Sequence, residues 1–169
     1  MVTIGLSAID VSTGHNVVYE TENLVDDDNL ALDETYRFIQ TLQPREIIIN
    51  SYQANTELIS KLDIGNILTH TNYQKEDIPP EYRKLSYQNE FLGNIFRNCG
   101  MLKPIEYINL EHHPTAIISY ILLLNFCYKQ KETLIDHINH PQIWNSLNYM
   151  VLDNNCINQL NITSGGGQK

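Results

Sequence analysis

The feature that most constrains the fold is a run of three isoleucines, Ile47–Ile49, directly after a predicted helix. The helix covers Leu30–Leu42 and is ended by Pro44, because proline cannot continue a helical hydrogen-bond ladder. A short β-branched run of this kind is typical of a fully buried strand in a parallel sheet. A helix followed by such a strand is the repeating unit of α/β folds, and it predicts that class for this chain.

A β-hairpin is predicted before this helix–strand unit. Residues 2–8 alternate with the period of two that a strand requires, and Val17–Tyr19 form the return strand. Ser12–Gly14 supply residue types that favour a turn between two strands. Asp10 stands at the end of the first strand, in phase with the side chains that are predicted to be buried.

The helix at Leu30–Leu42 carries two further signals. The run Asp26–Asp28 lies just before it, where negative charge is either solvated or stabilises the positive end of the helix dipole. Helical spacing assigns the buried face to four residues, Leu32, Tyr36, Ile39 and Leu42.

Shorter elements are predicted in the middle of the chain. They are a helix at 56–62, a strand at 66–71, a helix at 88–98 and an extended segment at 105–110. Pro79 and Pro80 are predicted to interrupt regular secondary structure before the second of these helices.

The longest helix is predicted at Pro114–Gln130, since proline is tolerated at the first helical position. Its apolar stretch, residues 116–127, is about twelve residues long, whereas a membrane span needs roughly twenty. We therefore predict a buried helix and no association with a membrane. The pattern weakens over residues 131–144, with a turn at 139–141.

The composition limits the partners of this segment. It has 20 acidic and 11 basic residues, a formal charge of −9. Phosphate backbones attract positive patches, so the segment is not expected to grip nucleic acid by itself. Hydrophobic residues make up 42% of the chain, enough for a folded core. No signal-peptide pattern is present, which predicts an intracellular protein.

Asp10 raises the alternative of a metal-dependent nuclease. A ribonuclease-H-like site holds two magnesium ions with several carboxylates, one of them at the end of the first strand. Another would stand at the end of a neighbouring strand, here Ile47–Ile49, which ends in Asn50. An amide does not offset the charge of a metal, which argues against an active site. The other interpretation is that Asp10 bonds groups in its own turn, with Ser12 and Thr13 beside it.

No other catalytic, cofactor-binding or metal-binding residue is predicted in this segment. His137 and His140 have a plausible spacing for zinc, but no cysteine nearby completes a tetrahedral set, and the adjacent His112–His113 cannot share one ion. The glycine-rich residues 164–167 lack the spacing of a phosphate-binding loop. The cysteines are far apart and form no C-x-x-C pair: Cys99, Cys127 and Cys156.

Three motifs, in order along the chain, resemble the MutS family of DNA mismatch-recognition ATPases. Ile4–Gly14 is similar to the opening hairpin of that family's connector domain. Leu42–Ile49 resembles its L-x-P-x-E-I-I step from helix to strand. Tyr149–Asp153 and Asn158–Ile162 together resemble the M-x-L-D and N-L-E-I signature that begins the core and lever region.

The resemblance implies three parts. Residues 1–130 would be a connector domain with a ribonuclease-H-like fold, a mixed sheet flanked by helices, and no nuclease activity. Residues 131–148 would be a linking segment, and residues 149–169 the start of a mainly helical core and lever domain. The family's Phe-x-Glu mismatch motif and Walker A loop do not occur in this sequence, so the resemblance implies a fragment of a longer product.

The function implied by the resemblance is mechanical. The connector would couple mismatch-binding and ATPase domains that lie outside it, and would rearrange with nucleotide state. The parent would bind mismatched double-stranded DNA, use ATP and Mg²⁺, and form a MutS-type dimer. A free-standing protein-interaction domain is a further alternative.

Residue usage gives an expectation about the source. The chain has 19 Asn and 21 Ile but only 4 Ala, a bias that AT-rich codons produce. This points to an organelle such as the mitochondrion, or to a large DNA virus.

Overall fold

The structure is a computed structural model that describes residues 2–50, 71–73 and 78–145. Three predictions lie outside the described residues: the helix at 56–62, the strand at 66–71 apart from its last residue, and the core and lever motifs between 149 and 162. The glycine-rich residues 164–167 also lie outside them.

The first two strands form the predicted antiparallel hairpin. β1 covers Thr3–Ile9 and β2 covers Asn16–Glu22, with Ser7 opposite Val18. The return strand is longer than predicted, because its polar end also pairs with β1. Asp10 is exposed just beyond β1, so the expectation that it continues the buried set is wrong.

Helix α1 spans Leu30–Leu42, the predicted bounds. Its buried face differs from the prediction because it includes Glu34, whose Oε2 accepts a 3.2 Å hydrogen bond from the hydroxyl of Tyr19 and whose Oε1 pairs with Arg37. The prediction assigned only apolar residues and tyrosine to the buried face, so it missed a carboxylate that is buried together with its hydrogen-bond partners. The buried residues are Ala31, Glu34, Thr35, Phe38 and Ile39, whereas Leu32, Tyr36 and Leu42 are half-buried.

The start of α1 is held by Asn23. Its Oδ1 accepts a 3.0 Å hydrogen bond from the backbone N–H of Ala31, one of the amides that a helix start leaves without an internal partner. The run Asp26–Asp28 is exposed, as its solvated interpretation predicts. Asp27 contributes one bond, from the backbone N–H of Asn29 to its Oδ1 at 3.0 Å.

β3 (Ile47–Ile49) pairs in parallel with β4 (Thr71–Tyr73) in a two-stranded sheet. The parallel pairing predicted for the isoleucines is therefore present, but all three are half-buried instead of fully buried. Within the described residues, β3 does not pair with β1. Asp10 and Asn50 thus do not follow neighbouring, hydrogen-bonded strands, and that part of the nuclease argument is wrong.

Two helices follow a 3₁₀ turn at Pro80–Arg83. α2 spans Leu85–Ile95, three residues earlier than predicted at both ends. α3 spans Pro104–Tyr107, where an extended segment was expected. The short helix forms because Pro104 is suited to the first helical position and because the helix places Ile105 and Ile108 on one face, where both are buried.

Helix α4 spans Pro114–Gln130, as predicted, and packs along β1. The approach is close: a Cβ on Gly5 would overlap the backbone carbonyl of Thr115, and the hydroxyls of Ser7 and Ser119 are 2.9 Å apart. The buried side of α4 consists of Ala116, Ile117, Tyr120, Ile121, Leu124 and Cys127. Burial raises the pKa of the Cys127 thiol, as expected for a cysteine that packs as a small apolar side chain.

Glu20, on β2, caps the beginning of α4. Its Oε2 accepts hydrogen bonds from the backbone N–H of Thr115 at 2.6 Å and of Ala116 at 2.8 Å. A carboxylate at this position also interacts favourably with the positive end of the helix dipole. Strand and helix are therefore joined by charge as well as by packing.

The last described strand, β5 (Gln142–Ile143), pairs in parallel with β2, so the order in this sheet is β1–β2–β5. The protein is therefore a mixed α/β structure with a three-stranded mixed sheet and helices. The larger apolar cluster lies between α2, α3 and α4, and a smaller one is formed by Val17, Phe38 and Trp144. Among the described residues, no helix is long and apolar enough to cross a membrane.

Candidate functional site

The hairpin turn, defined as residues 10–15, is organised by the Asp10 carboxylate. Its Oδ1 accepts hydrogen bonds from the backbone N–H and the hydroxyl of Ser12, at 2.9 and 2.6 Å, and its Oδ2 accepts one from the Thr13 hydroxyl at 2.8 Å. These bonds, those from Ser12 foremost, lower the pKa of Asp10 from 3.8 to about 2. The interpretation of Asp10 as a residue that holds its own turn is confirmed.

The turn is closed by its backbone. The N–H of Asp10 donates to the carbonyl of His15, and the N–H of Gly14 donates to the carbonyl of Asp10, both at 2.8 Å. Gly14 has a φ of 74°, a conformation that L-residues with a side chain rarely adopt. A Cβ on Gly14 would also overlap the backbone carbonyl of His137. The turn is therefore in close contact with a segment far along the chain.

That segment covers the described part of the predicted linking segment, and we call residues 131–145 the strap. It begins with a 3₁₀ turn at Glu132–Ile135 and contains β5. Asn139 binds the hairpin turn through its main chain and side chain: its N–H donates to Gly14 O at 3.0 Å, and its Nδ2 donates to Thr13 O at 3.2 Å. The strap is thus docked on the turn that Asp10 organises.

Asn16 links the turn, the strap and α4. It is 1% exposed, and its Nδ2 donates to Gly14 O at 3.0 Å and to Asn139 O at 2.8 Å. Its Oδ1 accepts a 2.9 Å hydrogen bond from the hydroxyl of Tyr120 in the middle of α4. Every polar atom of this buried amide therefore has a partner, as buried polar groups require.

The end of the strap is held by an aromatic contact. Trp144 is 4% exposed, and its ring meets that of Phe38 edge to face, with centroids 5.1 Å apart. The backbone N–H of Trp144 donates to Val18 O at 2.9 Å, next to the β2–β5 pairing. Between the two ends, the ring of His140 lies against Tyr107, and its Nε2 is 2.6 Å from Tyr107 O.

The histidines and cysteines that were weighed as metal ligands and set aside do not come together. His137 and His140 lie in the strap, whereas Cys99 borders the larger apolar cluster and Cys127 is buried on α4. Among the described residues, no group of three or more histidines, cysteines or acidic residues could hold a metal ion. Cys156 lies outside the described residues.

Sequence reasoning missed the two residues that dock the strap on the turn, Asn16 and Asn139. Asn16 stands at the start of a strand and Asn139 in a weakly patterned segment, and their partners lie more than one hundred positions away. The available signal was the asparagine at the first position of a strand, since a polar residue there requires partners once it is buried.

The chain is similar in sequence to MutS DNA mismatch repair proteins. It is 27% identical to a MutS homolog of Acanthamoeba polyphaga mimivirus, over 96% of this chain and 16% of that protein. It is 26% identical to DNA mismatch repair protein MutS of Clostridioides difficile, over 89% of this chain and 14% of the relative. A MutS of Caldanaerobacter subterraneus gives 26% identity over 98% of this chain and 17% of the relative.

These comparisons confirm the resemblance that the motifs indicated: the chain is MutS-like along nearly its whole length. It spans about one sixth of the length of the relatives it matches. No model of a protein family matches the chain.

Proposed function

We propose that this chain forms a non-catalytic connector in a MutS-like DNA mismatch repair protein. The observation that carries the proposal is the similarity to MutS proteins over 89% to 98% of this chain, although the chain covers only 14% to 17% of their length. The activity of the whole protein would then need parts outside these residues.

The contacts of the described residues support a structural role. The Asp10 oxygens are engaged within their own turn, and the buried amide of Asn16 joins β2 to α4 and to the strap. A connector of this kind needs a firm body and a defined point at which the following chain leaves it. In this proposal the hairpin turn and the strap would serve these two purposes.

The parent protein would contain the reactive and recognising parts. One part would bind mismatched double-stranded DNA and another would bind ATP with Mg²⁺, and the connector would change position with nucleotide state. Residues 149–169 would begin the core and lever domain, and the parent would form a MutS-type dimer. The charge of −9 fits a segment that does not itself hold the DNA backbone.

The source is part of the same proposal. An intracellular repair system of a large DNA virus fits both the residue usage and the similarity to a mimivirus protein. An organelle such as the mitochondrion is the other setting that the residue usage suggests.

The complete reading frame tests the proposal. We expect a G-x-x-x-x-G-K-[ST] motif downstream of residue 169 and binding of the isolated chain that is equal for mismatched and matched duplexes at moderate salt. A frame that stops near Lys169 would favour a free-standing interaction domain. Magnesium- or manganese-dependent cleavage that Asp10→Asn abolishes would favour a nuclease and contradict the connector.

A further inference from the structure

We propose that the second part of the strap, residues 136–145, is a releasable element: it detaches from the hairpin turn and β2 while the rest of the described structure stays folded. This equilibrium sets how the connector transmits movement to the chain that follows. The part about transmission rests on the proposed connector function. The detachment itself is a property of this chain alone.

The strap is held by few buried groups. Of the ten residues from 136 to 145, only Pro141 and Trp144 are buried. The β2–β5 pairing covers two residues, compared with seven pairs between β1 and β2. Segments with few buried apolar contacts and exposed hydrogen bonds are the ones that open at low free-energy cost.

Two anchors hold the strap on the hairpin turn, β2 and α1, and His140 adds a contact with Tyr107. The polar anchor is Asn139, which exchanges hydrogen bonds with Thr13, Gly14 and Asn16. The aromatic anchor is Trp144, which packs on Phe38 and donates its N–H to Val18 O. Because the anchors lie five residues apart on one short segment, loosening one lowers the cost of releasing the other.

Release leaves the buried amide of Asn16 with partners in the body. When Asn139 departs, the Nδ2 of Asn16 keeps its bond to Gly14 O and its Oδ1 keeps the bond from Tyr120. The contacts that join α4 to the hairpin do not involve the strap either: they run through Gly5, Glu20 and the Ser7–Ser119 pair. We therefore expect the body, meaning the described residues other than 136–145, to stay folded whether the strap is docked or released.

A substitution at Gly14 tests whether the strap can be released. A Cβ there would overlap the carbonyl of His137 in the strap and would also be strained at the positive φ of the turn, so Gly14→Ala disfavours the docked arrangement from both sides. Asn139→Ala is the milder variant, because it removes only the bond from Nδ2 to Thr13 O. Asn94→Ala is the matched control, an exposed asparagine on α2 away from the strap.

The experiment is amide hydrogen exchange by NMR on this chain. The reporters for the strap are the amides of Asn139 and Trp144, and those for the body are the amides of Tyr120 and Leu124 in α4. We expect protection factors of the strap amides to be at least about tenfold lower than those of the body, the equivalent of one or two hydrogen bonds. Gly14→Ala should widen this ratio about tenfold further, Asn139→Ala by less, and Asn94→Ala not at all.

Trp144 gives a second readout, since it is the only tryptophan in the chain. In Gly14→Ala we expect red-shifted emission and stronger acrylamide quenching with unchanged far-ultraviolet circular dichroism. Equal protection of strap and body amides, or a Gly14→Ala ratio identical to wild type, would overturn the releasable strap. If the strap is released but the parent shows no mismatch-dependent ATPase, the connector function fails and the detachment stands.

Discussion

The hydroxyl of Tyr120 donates a 2.9 Å hydrogen bond to Oδ1 of Asn16, joining the middle of α4 to the first residue of β2 inside the core. Both side chains are at most 1% exposed. Burial raises the pKa of the Tyr120 phenol, so it stays protonated and remains a donor. The same asparagine holds the hairpin turn and the strap, which makes this pair the centre of the polar contacts described above.

Removing the Asn16 amide should destabilise the protein, because both its Oδ1 and its Nδ2 make hydrogen bonds. Asn16→Ala leaves the Tyr120 hydroxyl buried without a partner, so we expect a loss of about 2 to 3 kcal/mol in the free energy of unfolding. Tyr120→Phe should cost about 1 to 2 kcal/mol, because Oδ1 of Asn16 then loses its donor. Urea denaturation measures both. Tyr128→Phe on the exposed side of α4 is the control, and an Asn16→Ala loss no larger than the control's would contradict the structure.

Two glycines should respond to alanine with opposite signs. A Cβ on Gly5 meets the backbone of Thr115, which cannot move without displacing α4, so Gly5→Ala should destabilise by about 1 to 3 kcal/mol. Gly93 lies within α2, and its Cβ would meet only Pro104 Cγ at 3.5 Å. Gly93→Ala should therefore stabilise by about 0.5 to 1 kcal/mol. Thermal unfolding compares the two, and a Gly5→Ala protein no less stable than Gly93→Ala would refute the close packing of β1 on α4.

The cap that Glu20 provides should be measurable as a charge effect. Glu20→Gln keeps an oxygen near the amides of Thr115 and Ala116 but loses the negative charge, so we expect a destabilisation of about 1 kcal/mol. Glu22→Gln, two residues along the same strand and exposed, is the matched control. Equal effects in chemical denaturation would show that Glu20 is no cap.

The pH dependence of Asp10 follows from its hydrogen bonds. Its pKa in the folded protein is about 2, below the ordinary 3.8, so its contribution to stability is present above pH 3.8 and is lost as the pH falls towards 2. Titration of the side-chain carbon signal by NMR should give a midpoint near 2. Ser12→Ala should move that midpoint upwards more than Thr13→Ala does. A wild-type midpoint at 3.8 would show that the carboxylate does not accept the hydrogen bonds from Ser12 and Thr13.

Local patterns predicted the hairpin and the bounds of α1 and α4, because each of these elements carries its own periodicity and its own start or stop residue. They did not predict α3, since a helix of four residues is too short for its spacing of Ile105 and Ile108 to stand out from an extended segment. The local patterns also did not predict that β3 pairs with β4 instead of β1. Strand order depends on contacts between distant residues, which a single strand does not encode.

The candidate site was predicted only in its local part. The Asp10 turn is a contact between residues two and three positions apart, so the sequence around Ser12 and Thr13 was sufficient. The docking of the strap joins residues separated by more than 120 positions. Those partners become neighbours only after the sheet and α4 have packed together.

The most direct test of the account is ATP hydrolysis by the protein encoded in the complete reading frame, measured with mismatched and matched duplexes. We predict stimulation by the mismatch in wild type and in Asn94→Ala, and a loss of about tenfold in that stimulation in Gly14→Ala, with basal hydrolysis and mismatch affinity retained. Full mismatch stimulation in Gly14→Ala, or hydrolysis that does not distinguish the two duplexes in wild type, would contradict the account.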